Sequence, residues 1–138
     1  MKYFYLLLLL LAPVAHAKKA APLVNQISAY RFEVSQAAVD RDLKNPHAQL
    51  STFVALPDFG AGFFSGVKVT RFSKTCLLPK FGLKSGDVVE MVNGQPLSGP
   101  SDIMEVGEKL AKAKPGHKVR VNVRRGDEDL ILTYLLVE

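Results

Sequence analysis

Between Phe81 and Leu97 the chain reads FGLKSGDVVEMVNGQPL, and this order of signals narrows the fold more than any other stretch. Asn93-Gly94 lies between two apolar runs, and both residues tolerate the positive φ that a two-residue type I′ hairpin demands. The run before it, Val88 to Val92, is therefore a strand, and Gln95-Pro96-Leu97 is a brief return strand. Upstream, Thr75 to Phe81 suits a short helical turn. Gly82 can close it in the left-handed conformation, with Leu83 as the apolar residue beyond the cap. Lys84-Ser85-Gly86-Asp87 then turns the chain into the strand. A helical turn, a tight turn, a strand and a hairpin in such close succession build a sheet with short antiparallel connections.

Asp87 stands between Gly86 and the apolar pair Val88-Val89. A catalytic carboxylate there needs a second titratable group, and the neighbouring sequence suggests none. A turn residue needs only nearby backbone N–H groups to accept from. On the turn reading, Asp87→Asn changes little and Asp87→Ala costs about 1 kcal/mol.

The remaining elements follow from periodicity. Ser35 caps a short helix from Gln36 to Lys44, with Val39 and Leu43 on one face, and Asn45-Pro46 ends it. Leu50 to Leu56 alternates as a strand, Gly66 to Phe72 is another, and Pro57 to Gly66 is a glycine- and aromatic-rich loop. Its GAGFFSG is no phosphate-binding loop, because no helix follows to supply the anion site. Phe63 and Phe64 read as apolar plugs at a strand start, with an exposed aromatic tip as the alternative. Pro100-Ser101-Asp102 opens the main helix, which runs to about Ala113 with Ile103, Val106, Leu110 and Ala113 on one face. In the strand Val119 to Arg125, three valines alternate with Arg120, Asn122 and Arg124. Asp129 to Val137 is apolar on both faces and reads as a central or covered strand.

The first residues carry a different message. Lys2 precedes an apolar run from Tyr3 to Leu11, and Ala15-His16-Ala17 has the small residues of a cleavage site. The run is shorter than the ~20 residues of a spanning helix. Residues 1–17 therefore read as a signal peptide, with a short uncleaved inner-membrane anchor as the alternative. The protein is expected in the periplasm, or anchored and facing it. Residues 18–34 read as a linker and 35–48 as a short helix leading into a domain over 49–138.

Composition narrows the function. Cys76 is the only cysteine, so no internal disulfide forms, and it reads as a small packed residue. The net charge of +5 comes from Lys and Arg spread along the chain. Without a readout motif this does not suggest nucleic acid, whereas inner-membrane proximity or an acidic partner stays open. Beyond the leader only His47 and His117 remain, and neither falls in a Ser-His-Asp order or with metal-ligand spacing to Cys76. No catalytic residue, metal or cofactor is expected.

From Gln49 to Glu138 the chain resembles bacterial PDZ domains. The resemblance rests on GVKVTRF, on LLPKFGLKSGDVVEMVNGQPLSG, and on SDIMEVGEKLAKAKPGHKVRVNVRRGDEDLILTYLLVE. The preceding YRFEVSQAAVDRDLKNPHAQLSTFVALPDF resembles the type II secretion system protein C branch more than the HtrA-type proteases. Protein C normally carries a spanning helix and a homology region ahead of its PDZ domain, for which Lys18 to Tyr30 is too short.

The resemblance implies an α+β fold, a PDZ-like small barrel or sandwich of about five to six strands in the circularly permuted bacterial order, with one main and one short helix. It implies a non-enzymatic protein–protein interaction module that binds an extended segment by strand addition. The partner would be a protein or peptide, such as a secretion-system component or a secreted substrate. A stand-alone adapter or regulator of a periplasmic protease, or a structural envelope protein, is the alternative. Family order puts the groove edge on Leu50 to Leu56, and the loop Ala48 to Ser51 at its end, where a carboxylate terminus would be received. The groove residues implied are Ala48, Gln49, Leu50, Ser51, Thr52, Phe53 and Val54, with Met104, Gly107, Glu108 and Ala111 on the helix. The apolar-Gly-apolar loop motif of the family is absent.

Overall fold

Eight strands make one mixed sheet in this computed structural model, which describes residues 22–60 and 62–138. The expected signal segment 1–17 lies outside the described residues, as do 18–21 of the expected linker. In chain order the elements are β1 (Val24–Ser28), β2 (Arg31–Ser35), α1 (Gln36–Asp42), a 3-10 helix (Pro46–Thr52), β3 (Val54–Asp58), β4 (Gly66–Thr70), a 3-10 turn (Leu78–Phe81), β5 (Val88–Val92), β6 (Gln95–Pro96), a 3-10 turn (Pro100–Asp102), α2 (Ile103–Lys112), β7 (Lys118–Arg125) and β8 (Glu128–Val137). The sheet order is β1-β2-β8-β7-β5-β4-β3, with β6 paired to β5. Alternate residues of the strands are buried on one face, and α1 and α2 add Ala38, Val39, Ile103 and Leu110 to that core.

The central motif folds as its turn chemistry dictates. Asn93 and Gly94 have φ of 51° and 78°, the pair of positive values of a type I′ turn. Asn93 also accepts from Arg120 N–H through its side chain at 2.9 Å, fastening the hairpin tip to β7. Gly82 closes the Leu78–Phe81 turn at φ +83°. An added Cβ at Gly82 would lie 2.5 Å from the Phe32 ring, so this position excludes side chains twice over.

Two expectations are corrected. The segment read as a linker, 18–34, contains β1 and β2. Phe32 and Val34 are buried while Arg31 is exposed and Glu33 half-buried, the alternation of a half-covered strand. Their partner is β8, paired in parallel from Arg31↔Thr133 to Ser35↔Val137. The strand is short and its partner lies at the other end of the chain, so local sequence carries little of the signal.

The strand read over Leu50 to Leu56 begins only at Val54. Pro46 sits in the first turn of the 3-10 helix that replaces its first half, where a missing N–H costs nothing. Thr52 Oγ1 donates to the Gln49 carbonyl at 2.5 Å, a local bond that competes with a strand ladder. Strand β8 is central, as one of the two expected alternatives had it, and is covered on one face. Leu130, Leu132, Tyr134 and Leu136 are buried, whereas Ile131 on the other face is 53 % exposed.

Candidate functional site

Strand β3 pairs with β4 along one side and has no strand on its other side among the described residues. Pro57 in the middle of its register is tolerated because an edge strand does not need every N–H for a ladder. Phe53 and Ala55 pack toward the core, whereas Leu56 is 46 % exposed.

Beside this edge a cavity of about 90 Å³ opens between the 3-10 helix and α2. Pro46, Gln49 and Phe53 form one wall, and Met104, Val106, Gly107 and Leu110 the other. The floor is Leu77, Leu78, Phe81, Leu83, Val89, Val121 and Tyr134, with Leu43 and Ile103 at the margins. At Gly107 the two walls come close together: a Cβ there would lie 3.4 Å from Pro46 Cβ. The mid-helix glycine thus faces the 3-10 helix across the mouth of the cavity.

Two polar oxygens at the cavity hold the structure together. Gln49 Oε1 accepts from Leu77 N–H at 3.1 Å, pinning the 3-10 helix to the floor. Tyr134 donates its hydroxyl to the Phe81 carbonyl at 2.5 Å, and burial pushes its phenol well above the ordinary range. Phe32 stacks on Tyr134 at 5.4 Å and Phe81 meets it edge-on at 5.6 Å.

Asp87 is a turn residue, accepting from Lys84 N–H at 2.8 Å. It also has a partner that the turn reading did not include. Arg125 grips it through Nε at 2.9 Å and Nη2 at 2.8 Å, and Nη2 donates to the Gly82 carbonyl at 2.9 Å. The carboxylate is 1 % exposed. The hydrogen bond to Asp87, and its charge, raise the Arg125 guanidinium further above its ordinary value. The pair ties the β7–β8 turn to the Gly82–Asp87 turn, and so fixes Phe81 and Leu83 on the cavity floor.

At the far end of β3, Asp58 accepts from Ser65 Oγ at 2.8 Å and pairs with Arg124. The Ser65 hydroxyl first, then the guanidinium, holds its carboxyl below the usual range. This clamps the base of the aromatic loop. Phe64 packs on the core and meets Phe59 edge-on, in keeping with a plug, but Phe59 and Phe63 are 59 % and 67 % exposed.

Of the expected groove residues, Gln49, Phe53, Met104 and Gly107 line the cavity. Ala48, Leu50 and Ser51 lie on the exposed side of the 3-10 helix. Thr52 is buried and bonded to that helix, and Val54 faces the opposite side of the sheet with Leu56 and Lys68. Glu108 belongs to a polar groove with Glu105, Lys109 and His117, and Ala111 packs against the core. The floor residues Leu77, Leu78, Phe81 and Leu83 were read only as turn and cap. Their apolar character over one helical turn was the available signal. Cys76 is buried and unpaired. Among the described residues no three His, Cys, Asp or Glu side chains converge on a metal position.

Comparison with known proteins bears on this geometry. Among curated proteins, the chain is 40% identical over 57 residues to "Serine protease HTRA1A" of Danio rerio, covering 41% of this chain and 11% of that protein. It is 30% identical over 99 residues to "Probable periplasmic serine protease do/HhoA-like" of Haemophilus influenzae, covering 66% and 20%. The chain thus spans a fifth or less of the curated relatives it matches. Similar solved structures include the HtrA3 PDZ domain bound to a phage-derived ligand, FGRWV, at 29% identity and a TM-score of 0.39, covering 53% of this chain and 64% of that one. Another is the PDZ domain of EpsC from Vibrio cholerae, at 17% identity and a TM-score of 0.47, covering 72% and 90%. The family model for the PDZ domain matches residues 57–136, more than half of the chain, from Pro57 in β3 to Leu136 in β8. With that match laid over the strands and the helix that frame the cavity, the chain belongs to the PDZ-domain family.

Proposed function

We propose that this protein is an exported, non-enzymatic interaction module. It adds an extended segment of a partner to the free edge of β3 and seats one apolar side chain in the cavity beside α2. The observation that carries this reading is the juxtaposition of an unpaired strand edge with an apolar cavity walled by Phe53 on one side and Met104 and Gly107 on the other. Main-chain bonds to the edge supply affinity and the cavity supplies selectivity. The proposed location is the periplasm, after removal of residues 1–17 or with that segment kept as an inner-membrane anchor. Among the described residues no helix is long and apolar enough to cross a membrane. The intact mass of the protein recovered from cells separates a start at Lys18 from a retained leader.

Within that role we place the protein beside type II secretion system protein C, on the wording of residues 30–59, with secretion-system components or secreted substrates as partners. The matches to serine proteases, one of them described as periplasmic, favour a second reading, an adapter or regulator of such a protease. Crosslinking in intact cells followed by identification of the captured protein distinguishes the two.

Gly107→Leu tests the groove itself. Leu has better helix propensity than Gly by several tenths of a kcal/mol, and its side chain would fill the cavity mouth opposite Pro46. The expected outcome is a folded protein, as judged by its melting curve, that has lost its crosslinked partner. Full partner capture by a stably folded Gly107→Leu variant refutes the groove reading.

A further inference from the structure

From the groove we infer its ligand class: the site takes an internal extended segment with one apolar anchor side chain, and does not read a free C-terminal carboxylate. The inference rests on the groove reading above and deepens it.

A groove that captures a chain terminus must bring N–H donors or a cation to the carboxylate, because burying an unpaired carboxylate costs several kcal/mol. The place for such donors is the backbone just before β3. Here that backbone is wound into the 3-10 helix Pro46–Thr52, whose N–H groups beyond the first turn are directed along its own axis to carbonyls three residues back. Its first position is a proline, which has no N–H. Ala48 N–H donates to the Asn45 carbonyl at 3.1 Å. At seven residues the helix is too short and too tightly bonded to serve as an anion site.

No cationic side chain replaces the missing donors, for no Lys, Arg or His is among the residues lining the cavity. Its polar side chains are Gln49, whose oxygen is taken by Leu77 N–H and whose neutral amide nitrogen is the one side-chain donor there, and Tyr134, whose hydroxyl is given to Phe81. An incoming carboxylate would meet mostly apolar walls with no cation among them.

What remains complementary to the site is an uncharged stretch of main chain bearing an apolar side chain. Pro57 offers no donor to an added strand, so the ladder is short and runs along Phe53 to Leu56. Pro46 opposite Gly107 narrows the end of the groove. The bound segment must turn outward there, with its anchor residue at the bend, as the strand of a hairpin or a bulged loop does.

Two phage libraries test this against the purified full-length protein. One displays random hexapeptides with a free C-terminus, and the other displays them between Gly-Ser flanks. Hits are synthesised with carboxylate and with amide ends, and their Kd is measured by fluorescence anisotropy on the parent and on Gly107→Leu. The expected result is binders from the flanked library, lost on Gly107→Leu, whose Kd changes less than about threefold on amidation. Binders from both libraries that are equally indifferent to amidation give the same support. Binders confined to the free-terminus library and weakened roughly tenfold or more by amidation, the worth of charge-assisted hydrogen bonds, overturn the inference and leave the groove reading standing. No binder from either library, or binders unaffected by Gly107→Leu, overturns the groove reading and the inference with it.

Discussion

Replacing Asp87 by Asn separates a lone turn residue from the anchor of a buried ion pair. As a turn residue alone, Asp87 accepts one backbone bond from Lys84, and the amide oxygen of Asn can keep it. The cost would then be a few tenths of a kcal/mol. The structure adds two charge-assisted bonds from Arg125, on a carboxylate that is 1 % exposed and a guanidinium that is 24 % exposed. Removing one charge of a buried pair costs about 3–5 kcal/mol, since the other is left uncompensated. Arg125 keeps some access to water and its bond to the Gly82 carbonyl, which moves the expectation to about 2–4 kcal/mol. At roughly 4–8 °C per kcal/mol for a small domain, Tm falls by about 8–32 °C. Urea unfolding of the parent, Asp87→Asn, Arg125→Met and the double variant measures it. The double variant should lose less than the sum of the singles, by roughly 1–3 kcal/mol. An Asp87→Asn variant within about 0.5 kcal/mol of the parent, or strictly additive singles, would falsify the ion-pair reasoning.

Gly82→Ala meets both a left-handed φ of +83° and the Phe32 ring at 2.5 Å, so the urea midpoint should report a loss of about 2–4 kcal/mol. Phe32→Ala empties a 3 % exposed position against Tyr134 and should cost about 3–5 kcal/mol; a neutral result would restore the linker reading of residues 18–34. Alkaline pH should weaken the fold through Tyr134. Its folded pKa is raised by burial, so its contribution is complete below the unfolded value of about 10 and is lost as pH rises above it, where only the unfolded chain sheds the proton. Urea midpoints between pH 8 and 11 should therefore fall more steeply for the parent than for Tyr134→Phe, and parallel slopes would exclude the phenol as the source.

Wherever bonds are local, the sequence by itself determined the outcome. The Asn93-Gly94 turn, the left-handed Gly82, the strand Val88–Val92, the Ser35 cap and the α2 register depend on residues within one or two turns of each other, and each lies where its turn chemistry or period puts it. Gln49, Phe53, Met104 and Gly107 line one cavity because the 3-10 helix Pro46–Thr52 packs on α2. Tertiary structure alone decided the rest, because the deciding partners are far away in the chain. Strand β2 exists because β8 offers Tyr134 and Leu136 beside Phe32 and Val34. Asp87 is an anchor because Arg125, thirty-eight positions later, folds back onto it. Residues 46–52 are helical because Thr52 and Gln49 find bonds within the turn and at Leu77, which outweigh a modest alternation of strand-forming side chains. That last choice turns the donors before β3 inward, and with them the class of ligand the groove can hold.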